Sequence, residues 1–234
     1  MKLFTQEILD RYLAEDWVKL SLESLVEAKE PLYTSDKWLL EGSSKRCIFS
    51  ELYGDLRTLR DSCKILDVGG GLSTFSSSTL SHLTYEVVDL FHHEKVDNLI
   101  AFRKKNPETK IISSDWESFE PSSNYDVIIS NDLFPNVDQR LDEFLEKFIP
   151  CTREIRLSLT FFNERKVYPV KRVDGDEILY IRPWSGKRLW DELKPYEERI
   201  ENLSLASLES FMDSIFNNGR QVCTLKIKGD IDDG

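Results

Sequence analysis

Four cysteines, three histidines and two methionines are the whole stock of soft and imidazole ligands in 234 residues. Cys47, Cys63, Cys151 and Cys223 lie far apart with no C-x-x-C pair, which leaves neither a zinc ribbon nor a disulfide framework its usual spacing. A reduced, cytoplasmic protein is the expectation. His92, His93 and Glu94 are adjacent rather than helically spaced, so no metal is expected either. No apolar run approaches the roughly 18 residues of a membrane span. The opening MKLFTQEILDRYLAEDW scatters charges where a secretory signal would be apolar. Positive charge is also scarce: 31 Lys+Arg face 42 Asp+Glu, a net charge of -11, which disfavours a broad nucleic-acid surface. One segment departs from this. Residues 153–194 carry 10 Lys+Arg against 7 Asp+Glu, a solvated surface or a patch for an anionic small molecule.

What the chain does have is a run of three glycines, Gly69, Gly70 and Gly71, in ILDVGGGLST. Glycine costs conformational entropy, so such a cluster marks a sharp bend or a close approach. Before it, residues 5–30 show apolar spacings of three and four and predict a helix that Pro31 stops. SSKRCIFSELYGDLRTL predicts another, with Ile48, Phe49, Leu52, Tyr53 and Leu56 on one face. Residues 1–60 therefore read as an N-terminal helical cap. From residue 61 onward strands and helices alternate. KILDV, YEVVDLF, KIISSD, YDVIISN and REIRLSLTFF predict five strands. STFSSSTLSHL, HEKVDNLIAFRKK and VDQRLDEFLEKFI predict the helices between, with Val96, Leu99, Ile100 and Val137 among the inward residues. The fold class is α/β, a doubly wound, mainly parallel sheet. Ligands of such sheets bind outside the carboxyl ends of the strands, where the glycines fall.

Two kinds of cofactor use a glycine turn at that place. A dinucleotide wants G-x-G-x-x-G, but the third position here is Thr74. Asp67 at the strand tip would repel a pyrophosphate, by at least about 1 kcal/mol at a few ångströms even in water. It would attract an ammonium.

With these features the sequence resembles the class I S-adenosylmethionine-dependent methyltransferases. LDVGGGLST is similar to that family's first motif, EVVDLF to its second strand, SSDWES to its third strand end, and YDVIISNDLFPNVD to its fourth-strand motif. The match spans roughly residues 60 to 160. The resemblance implies S-adenosyl-L-methionine as cofactor. Asp67, Gly69, Gly70, Gly71 and Asn131 would line it, and Asp89, 20 residues past Gly69, would accept from the ribose hydroxyls. Asp115 would accept from the adenine amino group, and Leu90 and Trp116 would lie near the ring. Asn131 and Asp132, at the end of the fourth strand, are the candidates to orient or deprotonate a methyl acceptor. Where many relatives have histidine this chain has Asn136, which cannot act as a base near neutral pH.

An insertion at about 163–195, with a hairpin around a DG turn, is expected to form a lid over a small-molecule acceptor of anionic or sugar-like character. Its tyrosines and tryptophans serve core or homodimer packing equally well. The family's closing pair of strands is not evident: after RQVCTLKIK only an acidic tail remains, so either that pair is incomplete or the inserted hairpin joins the sheet. Methylation of RNA or protein, a non-catalytic partner subunit that keeps only the binding fold, and a dinucleotide oxidoreductase are the rival readings.

Overall fold

A computed structural model describes residues 1–59, 62–164, 168–171, 178–181 and 183–232. The DG turn of the insertion lies outside the described residues. The five predicted strands are present as β2 (Lys64–Val68), β3 (Thr84–Asp89), β4 (Lys110–Ser113), β5 (Tyr125–Asn131) and β6 (Thr152–Phe161). They pair in parallel in the order β6-β5-β2-β3-β4, so the chain runs outward from β2 to one edge and then returns to build the other side. The reversal of direction falls between β2 and β5. β9 (Gln221–Lys228) adds antiparallel to β6.

The sheet's last place is filled from an unforeseen source. β1 (Lys2–Leu3), at the very start of the chain, pairs antiparallel with β9 and completes a seven-stranded sheet. The inserted hairpin, β7 (Tyr168–Lys171) with β8 (Ile178–Ile181), forms a separate two-stranded sheet and does not join the main one. Two residues carry no periodicity, so a strand as short as β1 leaves no signal in a sequence.

Alternation along the strands divides the core in two. Ile65, Val127 and Ile129 face the helices α1 (Gln6–Leu13), α2 (Trp17–Glu27), α3 (Thr34–Glu41), α4 (Ser43–Tyr53), α5 (Thr74–Thr79) and α6 (Val96–Lys105). Leu66, Val68 and Ile128 face α7 (Leu141–Phe148), α8 (Gly186–Leu193) and α9 (Leu205–Ser210). Helices α1–α4 share one continuous core with the sheet, with Phe49 and Leu52 of α4 in the same cluster as Ile65.

Several expected helices end elsewhere. The single helix over residues 5–30 is broken at Asp16, whose carboxylate caps α2 by accepting from the Lys19 amide at 3.0 Å. The Arg46 guanidinium, 2.9 Å away, and the Tyr12 hydroxyl, at 2.6 Å, hold that carboxylate in place. On α6 the inward residues are Phe102, buried and edge-on to Tyr33, and the partly buried Leu99, whereas Val96 at 70% exposure and Ile100 point outward. Val137 is likewise exposed, because α7 begins only at Leu141. Helix α3 was not foreseen at all, and it proves central to the site. Among the described residues no helix is long and apolar enough to cross a membrane.

Candidate functional site

Because β2, β3 and β5 are parallel, their carboxyl ends open on one edge of the sheet and deliver Asp67, Asp89 and Asn131 there together. The Gly69 amide donates to the Val88 carbonyl at 2.8 Å, which ties the start of the glycine turn to β3.

Each glycine is required by the chain itself. Gly69 and Gly71 have φ of +78° and +65°, a region that side chains resist, so the turn after β2 needs them both. A Cβ on Gly71 would also lie 2.5 Å from Ser35 Oγ. At Gly70 the conflict lies beneath: a Cβ there would be 2.5 Å from the Asp67 carboxyl carbon. The turn is bent, and it is closely approached from both sides.

Asp67 differs from the open carboxylate expected at a strand tip. It is only 2% exposed, and its Oδ2 accepts from the hydroxyls of Tyr85 at 2.7 Å and Tyr53 at 2.9 Å. Oδ1 is buried without a hydrogen-bond partner among the described residues. Loss of hydration raises its pKa to about 6; the two tyrosine bonds oppose the shift, and the neighbouring charge of Asp89 adds to it. The folded chain therefore holds the proton of Asp67 more tightly than the unfolded chain does, yet leaves the group a carboxylate at neutral pH. The sign follows from linkage: between the unfolded value of 3.8 and about 6 the folded state holds more protons, so the stabilisation is complete below about pH 4 and is lost as pH rises through 6. Asp67→Asn should remove that dependence. Between pH 4 and pH 7 wild type should lose on the order of 1–3 kcal/mol relative to the variant, read as the difference in denaturant midpoints. Parallel pH profiles would count against a buried titrating carboxyl.

Asp89 is fixed by the backbone around it. Its Oδ2 accepts from the Gly71 amide at 3.1 Å and its Oδ1 from the Phe91 amide at 2.7 Å, the latter made available by a φ of +51° at Phe91. That value is unusual for a bulky residue and marks a strained, specified turn. Leu90 beside it is exposed. Asp115 is half-buried and starts a turn, its Oδ1 accepting from the Glu117 amide at 2.9 Å. Trp116 belongs to the core: 6% exposed, it stacks edge-on against Phe134 and Phe144 and donates its indole N–H to Asp138 at 2.9 Å. The structure thus brings Asp67, the glycines, Asp89 and Leu90 to one place and commits the Trp116 ring to packing.

At the end of β5, Asn131 Oδ1 accepts from the Ser158 hydroxyl at 2.7 Å, and the same oxygen of Ser158 accepts from the Asp132 amide at 2.8 Å. Asp132 has a φ of +61°. Its carboxylate takes the Asn136 amide at 2.5 Å and faces Arg220, whose nearest nitrogen is 3.6 Å away. Of the two basic residues at the start of α4, Arg46 is buried against Asp16 and the carbonyls of Leu39 and Leu40. Lys45 faces Asp132, and burial lowers its pKa.

The residues that sequence reasoning missed come from α3. Ser35 donates to the Gly70 carbonyl at 3.1 Å. Asp36, fully buried, accepts from the Ser73 hydroxyl at 2.6 Å and from the amides of Tyr33, Thr74 and Phe75 at 3.0 to 3.1 Å. One carboxylate therefore closes the first turn of α3 and the first turn of α5 at once. Thr34, Ser35 and Asp36, following Pro31, Leu32 and Tyr33, were the available signal, a helix-start composition. His93 also reaches the turn, its Nε2 buried and unpartnered among the described residues and 3.5 Å from the Gly71 Cβ position. Among the described residues no group of His, Cys, Asp or Glu is arranged to hold a metal ion.

This sheet order, with an antiparallel strand beside β6 and a glycine turn after its central strand, is the class I methyltransferase fold. The 1,6-didemethyltoxoflavin-N1-methyltransferase of Burkholderia thailandensis, solved with 1,6-didemethyltoxoflavin and S-adenosylhomocysteine, is similar at a TM-score of 0.53 and 12% identity, over 93% of this chain and 90% of that one. DhpI in its S-adenosylhomocysteine complex is similar at a TM-score of 0.51 and 12% identity, over 93% and 97%. No protein-family model matches the sequence, and no curated protein matches it.

Proposed function

We propose that the protein transfers a methyl group from S-adenosyl-L-methionine to a small-molecule acceptor. The observation that carries this reading is the occupant of the α5 N-terminus. A dinucleotide would rest its pyrophosphate on those amides, but Asp36 already accepts from Thr74 N and Phe75 N there. A second carboxylate, Asp67, lies below the same turn, and a third, Asp89, beside it. Three carboxylates suit a donor that carries an ammonium and a sulfonium and no phosphate.

When bound, S-adenosylmethionine supplies a methyl group on a good leaving group, so the reaction is an in-line displacement governed by alignment; positioning of this kind supplies roughly 7–11 kcal/mol of a barrier. Asp89 would accept from the ribose hydroxyls, Leu90 would lie against the adenine, and Asp115 would accept from its amino group. Asp67, carrying an unsatisfied oxygen, supplies negative potential under the turn. Asn131 and Asp132 hold the acceptor. The hydroxyl of Ser158 fixes the Asn131 amide, and the Asn136 amide fixes the Asp132 carboxylate. Asn136 thus serves Asp132 rather than taking a proton itself. The left-handed backbone at Asp132 is the kind of specified conformation that functional sites retain, which favours an enzyme over a subunit that only binds.

Asp89→Ala should weaken S-adenosylhomocysteine binding by roughly 1–3 kcal/mol, the scale of a lost hydrogen bond to a charged group. Titration calorimetry on a variant whose thermal melt is intact reads it. Unchanged affinity would remove Asp89 from the site.

A further inference from the structure

Arg220 stands just before β9, and its side chain is only 14% exposed. Its guanidinium lies 3.9 Å from the centroid of the Phe216 ring, and its Nε is buried without a hydrogen-bond partner among the described residues. Its contact with Asp132, at 3.6 Å, is an ion pair beyond hydrogen-bond length. The two buried arginines among the described residues are each hydrogen-bonded to both a carboxylate and a backbone carbonyl oxygen. Arg46 has Asp16 and two carbonyls, and Arg156 has Asp55, Glu154 and the Leu52 carbonyl. A guanidinium presents five donors in a rigid fork, and at Arg220 the fork lies against a ring with its Nε donor unpartnered among the described residues.

Lys45 approaches the same spot from α4, its ammonium 5.0 Å from the Trp38 ring centroid. It feels Asp132 as an attraction and Arg220 as a repulsion, with Glu41 at the rim. The two cations repel each other, and the single charge of Asp132, which attracts both, balances only one of them.

We propose that Arg220 and Lys45 form the receptor for an anionic group, a carboxylate or a phosphate, on the methyl acceptor, seated beside Asn131 and Asp132. This rests on the methyl-transfer reading. The same chemistry could serve the carboxylate of the methyl donor's methionine, and the position favours the acceptor. Arg220 enters from β9, three strand places from β2, or about 14 Å at the usual strand spacing. The glycine turn where the donor would sit follows β2 and is contacted by Ser35 of α3. The fork geometry of arginine matches both anions, and contact with the Phe216 ring restrains it.

The test uses the full chain and inorganic phosphate as the probe, titrated by calorimetry with and without S-adenosylhomocysteine. Wild type should bind phosphate. Arg220→Met and Lys45→Met should each weaken it roughly tenfold, the scale of a lost charge-assisted contact, while S-adenosylhomocysteine affinity stays the same. Asp132→Asn should tighten phosphate binding, since it removes a like charge and asparagine tolerates the left-handed backbone; a purely structural Arg220 would not produce that gain. Arg220→Lys, which keeps the charge, serves as the folded control and should retain part of the binding. Phosphate binding that is absent in wild type or unchanged in Arg220→Met overturns the proposal. A large loss of S-adenosylhomocysteine affinity in Arg220→Met also overturns it, by placing the cation on the donor. Phosphate binding without any S-adenosylhomocysteine binding in wild type would leave the anion receptor standing and reject the methyl-transfer reading instead.

Discussion

Asp36→Ala is expected to lower folding stability by roughly 3–5 kcal/mol, the cost of breaking a buried charged network. Four donors lose their acceptor together: the Ser73 hydroxyl and the amides of Tyr33, Thr74 and Phe75. The amides of Thr74 and Phe75 are orphan donors of a helix's first turn, and the carboxylate is their partner in the structure. Burial raises the pKa of Asp36 while its four hydrogen bonds lower it, so the group is costly to bury and more costly to remove. Because α3 and α5 are joined through this carboxylate, the loss should appear as a single, lower urea midpoint. Asp36→Asn, which keeps the shape and two acceptor lone pairs, should recover part of it. A stability loss under about 1 kcal/mol in the alanine variant would mean that water or another group satisfies those amides.

The second large effect is expected at Gly70. Gly70→Ala places a methyl 2.5 Å from the Asp67 carboxyl carbon and 2.6 Å from both its oxygens. That carboxylate has nowhere to go, since the hydroxyls of Tyr53 and Tyr85 pin Oδ2 in the interior. Relief requires the tyrosine bonds to break or the turn to lift, at roughly 2–4 kcal/mol from overpacking and lost hydrogen bonds combined. Either response also moves the turn off Asp89 and Ser35, so S-adenosylhomocysteine binding should fall with stability. Gly54→Ala is the control: its nearest neighbour, the Ser50 hydroxyl oxygen, is 3.6 Å from the Cβ position, and stability should hardly change. Equal stability of the two variants would contradict the placement of Asp67 under Gly70.

The strands were legible because buried parallel strands are apolar runs ending in the polar residues that matter. Asp67, Asp89 and Asn131 each stand at or next to the end of such a run. What those carboxylates touch was not legible. Tyr53 reads as one more apolar position on the face of α4, and nothing local says that its hydroxyl reaches Asp67 14 residues on. Asp36 and Thr74 are 38 residues apart, so the cap that joins their helices is a tertiary contact with no periodic signature. The break at Asp16 had the same cause, since Arg46 stabilises it from 30 residues away. Trp116 illustrates the opposite ambiguity: aromatic character beside a strand end suits a ligand ring and a core equally, and in the structure the ring packs against Phe134 and Phe144. Arg220 escaped notice because charge in a sequence reads as surface, and only the structure shows its Nε buried without a hydrogen-bond partner among the described residues.

The most direct test is calorimetric titration of the full chain with S-adenosylmethionine, S-adenosylhomocysteine and NAD at pH 7.5. Saturable binding of the first two with no heat from NAD is the expected result. Binding of NAD in their place would mean that a pyrophosphate can displace Asp36 from the α5 amides, and the assignment of this site to a cationic methyl donor would be wrong.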